Sequence, residues 1–374
     1  MQRRTFLQHG LGASLAMASP LIAAQQNKPE NTLHDKLHEA VGVLAKAAAE
    51  GQIHAASLYV RHQGAEFARP FGAAKSADDI FLLASISKPI SVAAVMTLYD
   101  QGRFDLDDPV KKFIPEFTGD GREQISIRQL LTHVSGLPDQ LPENETLRKR
   151  HAALSDFVQG AIKTPLLFQP GSPYRYSSMA ILLAAEIAQR ITKKDFKTIV
   201  DETVFQPLKM TRSALGLGPF KLEETMRAQV ENAAPESGAG DPSAKEWDWN
   251  SPFWRNLGAP WGGAHGSAPD VARFFAEFLH PSGKALKPDT ARLMVRNHNR
   301  EGLTPRGLGF AVGAQAGGKG CSEQTFGHTG STGTLCWADP ATDTICVVLT
   351  TLPWQAATPH PARLASDRVA SAVS

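Results

Sequence analysis

Apolar positions recur along this chain in helical, alternating and continuous patterns, and the patterns change in a definite order. Leu33, Leu37, Val41, Leu44 and Ala48 fall at helical spacing before Gly51, which predicts an amphipathic helix over 33–49. Two apolar-rich runs, 55–61 and 65–70, flank Gln63-Gly64 and predict a hairpin. Residues 87–101 predict a helix with Pro89 in its first turn and Gly102 as its stop. From 103 to 262 short helical patterns alternate with Pro- and Gly-rich loops, and 231–263 has little periodicity. A helix is predicted over 270–279, strands over 307–313, 332–338 and 344–352, and a closing helix over 361–373. Hairpins rather than alternating βαβ units predict an α+β fold, an antiparallel sheet flanked by helices. The chain ends (about 30–80 and 263–374) would build that α/β lobe, and 81–262 a mainly helical lobe.

The first residues change the picture at one end. Arg3-Arg4, then Thr5-Phe6-Leu7 and a small-residue apolar stretch over 10–24, match a twin-arginine export leader. The stretch is too short for a comfortable membrane span. Residues 1–24 are expected to be removed, leaving 25–374 as the working domain, periplasmic or secreted in a bacterium. Formal net charge is +2, and setting aside Arg3 and Arg4 leaves zero. A neutral chain with no dense basic run offers no electrostatic footprint for nucleic acid. The cysteines are Cys321, Cys336 and Cys346, in no zinc spacing. Cys336 and Cys346 flank a turn at 339–343 and are read either as a cross-hairpin disulfide or as two buried thiols.

Absences narrow the chemistry. The chain has no Gly-x-Ser-x-Gly elbow and no His-Glu-x-x-His, and His34 and His38 lack a third ligand. Residues 313–319 match the start of a phosphate loop, but Gly320 stands where Ser or Thr would bind Mg²⁺, so a surface turn is expected. Neither metal nor organic cofactor is called for. Ser85 and Lys88, three apart at a helix start, would share one helix face. A Ser hydroxyl needs a base to become a nucleophile, and a Lys amine serves if burial lowers its pKa. Taken alone, Ser-x-x-Lys reads equally as a helix cap followed by an exposed lysine.

Four further segments give that motif weight. Residues 125–138 (ISIRQLLTHVSGLP) resemble a signature segment of the β-lactamase-related serine hydrolases, a family spanning class C β-lactamases, D-amino-acid peptidases and family VIII carboxylesterases. Residues 102–110 resemble the family's segment after the nucleophile helix. Tyr174-Arg175-Tyr176-Ser177-Ser178 resembles its Tyr-x-Asn element, and 326–333 its Lys-Thr-Gly strand in a His-x-Gly form. The resemblance implies a serine β-lactamase/penicillin-binding-protein-like fold. It also implies that Ser85 forms an acyl-enzyme, that Lys88 holds or accepts its proton, and that Tyr176 is the general base, its phenol pKa lowered by Lys88. Amide hydrogens of Ser85 and Ser331 would form the oxyanion hole, and Ser178, His328 and Gly330 would contact substrate. His133 is expected to fix loop backbone, and His265 and Ser267 to line the site. Ser178 replaces the family's Asn, and a shorter hydroxyl needs a water to reach substrate carbonyl or Lys88. His328 replaces Lys, and a neutral imidazole attracts a substrate carboxylate less, which disfavours β-lactam turnover.

Trp247, Trp249, Trp254 and Trp261 lie within fifteen residues of one another. They are read either as a satellite core or as an aromatic wall over the substrate, with Trp249, Trp254 and Trp261 as its members. The expected activity is hydrolysis of small esters or amides, esters preferred. The alternatives are a periplasmic D-amino-acid peptidase or amidase, a weak β-lactamase, and a non-catalytic binding protein on the same fold.

Overall fold

A computed structural model of the protein describes residues 29–374 apart from 235, 236 and 240. The leader read at 1–24 lies outside the described residues. Among the described residues nine strands occur in chain order: β1 (Ala55–His62), β2 (Ala65–Gly72), β3 (Phe81–Leu82), β4 (Ala214–Leu215), β5 (Ala264–Gly266), β6 (Ala311–Val312), β7 (Phe326–Gly330), β8 (Thr334–Asp339) and β9 (Thr344–Thr350). Six form one antiparallel sheet in the order β2-β1-β9-β8-β7-β6. The pairing of β1 with β9 ties the start of the chain to its end. A small second sheet, β3-β5-β4, lies where the two-residue strand leading to Ser85 meets the segment after the tryptophans.

Both faces of the large sheet are covered, which explains why β8 and β9 read as near-continuous apolar runs. Leu58, Val60, Trp337, Cys346 and Val348 point to one face. There they meet Leu37, Ala40 and Leu44 of the N-terminal helices and Ala362, Ala365 and Val369 of the closing helix, Pro361–Val373. Their sheet neighbours Tyr59, Cys336, Val347 and Leu349 point the other way, as the two-residue strand period requires. That second face packs against the helix Ala268–Leu279, with Phe274, Phe275 and Phe278, and continues into the main core. Cys336 and Cys346 thus belong to opposite faces, and all three cysteines are free. The buried-thiol reading holds and the disulfide does not.

The helix Ser87–Asp100 is buried from Ser87 through Leu98, so it runs through the core rather than along it. The helix Ser178–Thr192 packs beside it. Two sequence expectations differ in detail. The helix expected over 33–49 is broken into Pro29–Lys36 and His38–Ala49, because the Leu37 N–H is shared between the carbonyls of Leu33 and His34 and the turn tightens there. The strand expected over 307–313 shrinks to β6. Gly309 takes φ +80°, and a Cβ there would stand 2.9 Å from that of Val92, so the chain turns to press on the Ser87–Asp100 helix.

Candidate active site

Ser85 sits in a single 3₁₀ turn, Ala84–Ile86, between β3 and the helix Ser87–Asp100. Ala84 takes φ +48°, a left-handed conformation that costs a residue with a Cβ about 1 kcal/mol or more. The turn is clamped by its surroundings. The Ser87 hydroxyl donates to Ala84 O (2.6 Å) and accepts from the Ala264 N–H (2.9 Å), while the Thr334 hydroxyl donates to Leu83 O (2.9 Å). β7 approaches so closely that a Cβ on Gly330 would collide with Leu83 O and Thr334 Oγ1.

Lys88 points from the first helical turn back at Ser85, as the three-residue spacing demands. Its Nζ is 3.1 Å from Ser85 Oγ and donates to Trp261 O at 3.0 Å. The side chain is completely buried. Burial drives its pKa down to about 7; the Asp139 carboxylate opposes that shift and the Arg306 guanidinium adds to it. A neutral amine keeps one N–H on the Trp261 carbonyl and turns its lone pair to the Ser85 hydroxyl. That is the arrangement a base needs.

Tyr176 stands against both groups. Lys88 Nζ lies 4.5 Å from its ring centroid, and its oxygen is hydrogen-bonded to the Ser85 side chain. The expectation of a lowered phenol pKa is corrected here. Burial pushes the Tyr176 hydroxyl well above its ordinary value, and the Ser85 hydrogen bond and Arg306 offset that only partly. Lys88 is too nearly neutral itself to hold a phenolate. Tyr176 is therefore a phenol with a proton to give, and the group poised near neutrality is Lys88.

Ser178 opens its helix beside Tyr176, with Ser177 as the cap whose hydroxyl accepts from the Ala180 N–H (3.0 Å). The Ser178 hydroxyl donates to Asp139 Oδ1 at 2.6 Å, and its N–H donates to the same oxygen at 2.9 Å. With its hydrogen committed to a carboxylate, this serine offers only lone pairs to a ligand. Asp139 is the residue directly after the recognised 125–138 segment, which was the available but unused signal for it.

A cavity of about 190 Å³ opens over Ser85. Ser85, Asp139, Tyr176, Ser178 and Ser331 line its polar side, and Trp249, Trp254 and Trp261 line its apolar side. These tryptophans also belong to the main buried core, so the two readings of the cluster describe one structure. Arg148 lies 4.3 Å from the Trp254 ring and lines the same cavity. A groove of about 840 Å³ around Phe205 and Leu215 is larger, but it lies away from Ser85, Lys88 and Tyr176.

Four expected site residues lie outside the cavity lining. His265 is fully buried on β5, where its Nδ1 donates to Gly216 O at 2.8 Å and burial lowers its pKa to about 3. Ser267 caps the helix Ala268–Leu279. His328 lies on β7 behind Tyr176 rather than facing the cavity; its Nδ1 donates to Thr329 O (2.7 Å) and its Nε2 is 3.3 Å from Arg306 Nη2. Gly330 contributes close strand approach, not a lining surface. His133 takes φ +62° and its Nδ1 accepts the Ser177 N–H (3.1 Å), so it fixes the loop that carries Tyr176. Arg306 carries no sequence signal, because it lies one residue before the strand expected over 307–313 and outside the four family-like segments.

Among the described residues no cluster of His, Cys, Asp or Glu could hold a metal, and no helix is long and apolar enough to cross a membrane. The Beta-lactamase family model matches residues 40–368. The chain is 31% identical to esterase EstB of Burkholderia gladioli over 73% of its own length and 74% of EstB. Its fold superposes on EstCE1, a hydrolase with promiscuous acyltransferase activity, with a TM-score of 0.73 at 22% identity, covering 91% of this chain and 99% of EstCE1. D-amino acid amidase from Ochrobactrum anthropi SV3 matches with a TM-score of 0.72 at 21% identity, covering 91% of this chain and 99% of the amidase. With a family match spanning nearly all of the described chain, the protein belongs to the Beta-lactamase family and is a serine hydrolase.

Proposed function

We propose that the protein cleaves small carboxylic esters, and amides more slowly, through an acyl-enzyme on Ser85. The observation that carries this reading is the buried Lys88 amine, 3.1 Å from Ser85 Oγ and neutral near pH 7. In the first step the Ser85 O–H proton passes to Lys88 Nζ while Oγ bonds to the substrate carbonyl carbon. The tetrahedral adduct then expels the alcohol or amine, which takes the Tyr176 hydroxyl proton, and Lys88 returns its proton to Tyr176. Water attacks the acyl carbon next, its proton following the same route in reverse. Ser85 and Ser331 both border the cavity, which supports their amide hydrogens as the oxyanion donors.

Three features favour esters. The apolar tryptophan side suits an alkyl or aromatic acyl group. Ser178, turned to Asp139, offers no donor to the amide carbonyl of a peptide or lactam side chain. His328, uncharged and behind Tyr176, supplies no cation for a lactam carboxylate. EstB is itself an esterase, and the likeness to it points the same way. The leader pattern at 1–24 supports export as part of this proposal. The test is hydrolysis of p-nitrophenyl butyrate by the mature chain beside the Ser85→Ala variant. Turnover lost in the variant supports the reading; turnover surviving in it means another nucleophile. Hydrolysis of a D-alanyl peptide but no ester would favour the peptidase alternative.

A further inference from the structure

Arg306 is a buried guanidinium, 6% exposed, and among the described residues it forms no ion pair with a carboxylate. A buried charge in that condition is expensive to keep, by several kcal/mol in general. Its environment is equally unusual. Nη2 lies 3.2 Å from His133 Nε2 and 3.3 Å from His328 Nε2, Nε has no hydrogen-bond partner, and Cζ is 5.7 Å from the Tyr176 ring centroid. The histidine hydrogen bonds restrict both imidazoles. Because Thr329 O can only accept, His328 carries its proton on Nδ1, and its Nε2 accepts from Arg306. Because the Ser177 N–H donates to His133 Nδ1, that ring carries its proton on Nε2, facing the guanidinium. Protonating either ring would set a second cation against the first.

We propose that Arg306 is a positioning residue of the reaction: its fixed charge behind Tyr176 bars a second cation from the already buried His133 and His328 and keeps Lys88 free to accept the Ser85 proton. The inference rests on the reading of Lys88 as the base. The groups facing Arg306 come from four elements. They are Lys88 from the Ser87–Asp100 helix, His133 from the loop after Ile127–Leu131, Tyr174 and Tyr176 from the loop before Ser178–Thr192, and His328 from β7. Burial is the largest cause that lowers the proton affinity of Lys88, His133 and His328; Arg306 adds to it at all three, while the Asp139 carboxylate pulls Lys88 the other way. The arrangement has a chemical logic. The strand position that would carry a lysine holds the neutral His328, so the fixed positive charge beside Tyr176 comes from another segment. Here the turn at 306–309, pressed onto the nucleophile helix by Gly309, delivers it.

The test is the pH dependence of kcat/KM for p-nitrophenyl butyrate in the wild type, Arg306→Gln and Arg306→Lys. Removing the charge favours the Lys88 ammonium, so the acidic limb is expected to move up by about one unit in Arg306→Gln. Activity at pH 6 then falls about tenfold more than activity at pH 9. Arg306→Lys, which keeps a charge, is expected to return the limb most of the way. A limb that stays in place in Arg306→Gln, or moves equally in both variants, overturns the proposal alone, since a merely structural loss lowers activity at every pH. A wild type with no acidic limb overturns the Lys88 reading, and the proposal with it. Should the glutamine variant fail to fold, ¹⁵N NMR of histidine-labelled wild type decides. His133 and His328 are expected to stay neutral from pH 8 to pH 5, and titration of either in that range overturns the proposal.

Discussion

Two of the buried arginines, Arg255 and Arg306, have opposite surroundings. Arg255, under the tryptophan loop, is held by Trp249 O (2.5 Å), Thr225 Oγ1, Met226 O and Asn250 Oδ1 (each 3.0 Å). Its donors meet acceptors drawn from 225–226 and 249–250, so it ties an aperiodic loop into one rigid wall. Arg306, behind Tyr176, faces imidazoles instead: its Nη2 donates to His328 Nε2 but also meets the protonated Nε2 of His133, and its Nε has no partner. A guanidinium that closes a hydrogen-bond knot contributes to stability. One left with unmet valence costs stability, and its effect falls on the charge states of its neighbours. The same residue type thus builds the wall of the site in one region and sets its electrostatics in the other.

The largest effects should come from the reacting groups themselves. Ser85→Ala is expected to lower kcat/KM by about 10⁴ or more, measured with p-nitrophenyl butyrate. Lys88→Met should cost about 10²–10⁴ in kcat/KM and abolish the acidic limb. Its thermal stability should be equal to or above wild type, because a buried amine is exchanged for an apolar side chain of similar length. In the wild type the unprotonated amine is the active form, so kcat/KM should rise with pH and reach half its plateau near pH 7. An acidic limb near pH 4 would point to a carboxylate base instead.

Arg255→Met separates the two arginines. It should destabilise the fold by about 3–5 kcal/mol, read by denaturant unfolding, because several buried acceptors lose their donor together. The acidic limb of the surviving activity should stay where it is. A limb that moved would mean that Arg255 too acts on the site through its charge. The smallest effect is expected at the wall. Trp254→Ala should raise KM for the butyrate ester several-fold and relax selection toward longer acyl chains, compared across acetate, butyrate and octanoate esters. Unchanged selection would place the acyl group away from the tryptophans.

Much of this was legible in the sequence where local pattern decides structure. The Ser-x-x-Lys spacing put both side chains on one face, and the apolar-rich runs at 55–61 and 344–352 became β1 and β9, each packing two cores. What was not legible depends on contacts between distant segments. Ser178 looked like a shortened Asn, because nothing in the sequence says that Asp139, 39 residues earlier, receives its hydroxyl. His265 looked like a site residue from its segment, but the 2.8 Å bond to Gly216 O turns it into the scaffold. The direction of the Tyr176 shift was misjudged for the same reason. Proximity to Lys88 is visible in a motif, whereas complete burial of both groups is a property of the packed core.

The central claim is that Ser85 is the nucleophile, and covalent capture addresses it most directly. The mature protein would be incubated with a fluorophosphonate probe, and the modified peptide located by mass spectrometry. The account predicts one adduct per chain, on Ser85, forming faster as pH rises through 7 and absent from Ser85→Ala. A stable adduct on another residue, or none in a protein that hydrolyses esters, would contradict it.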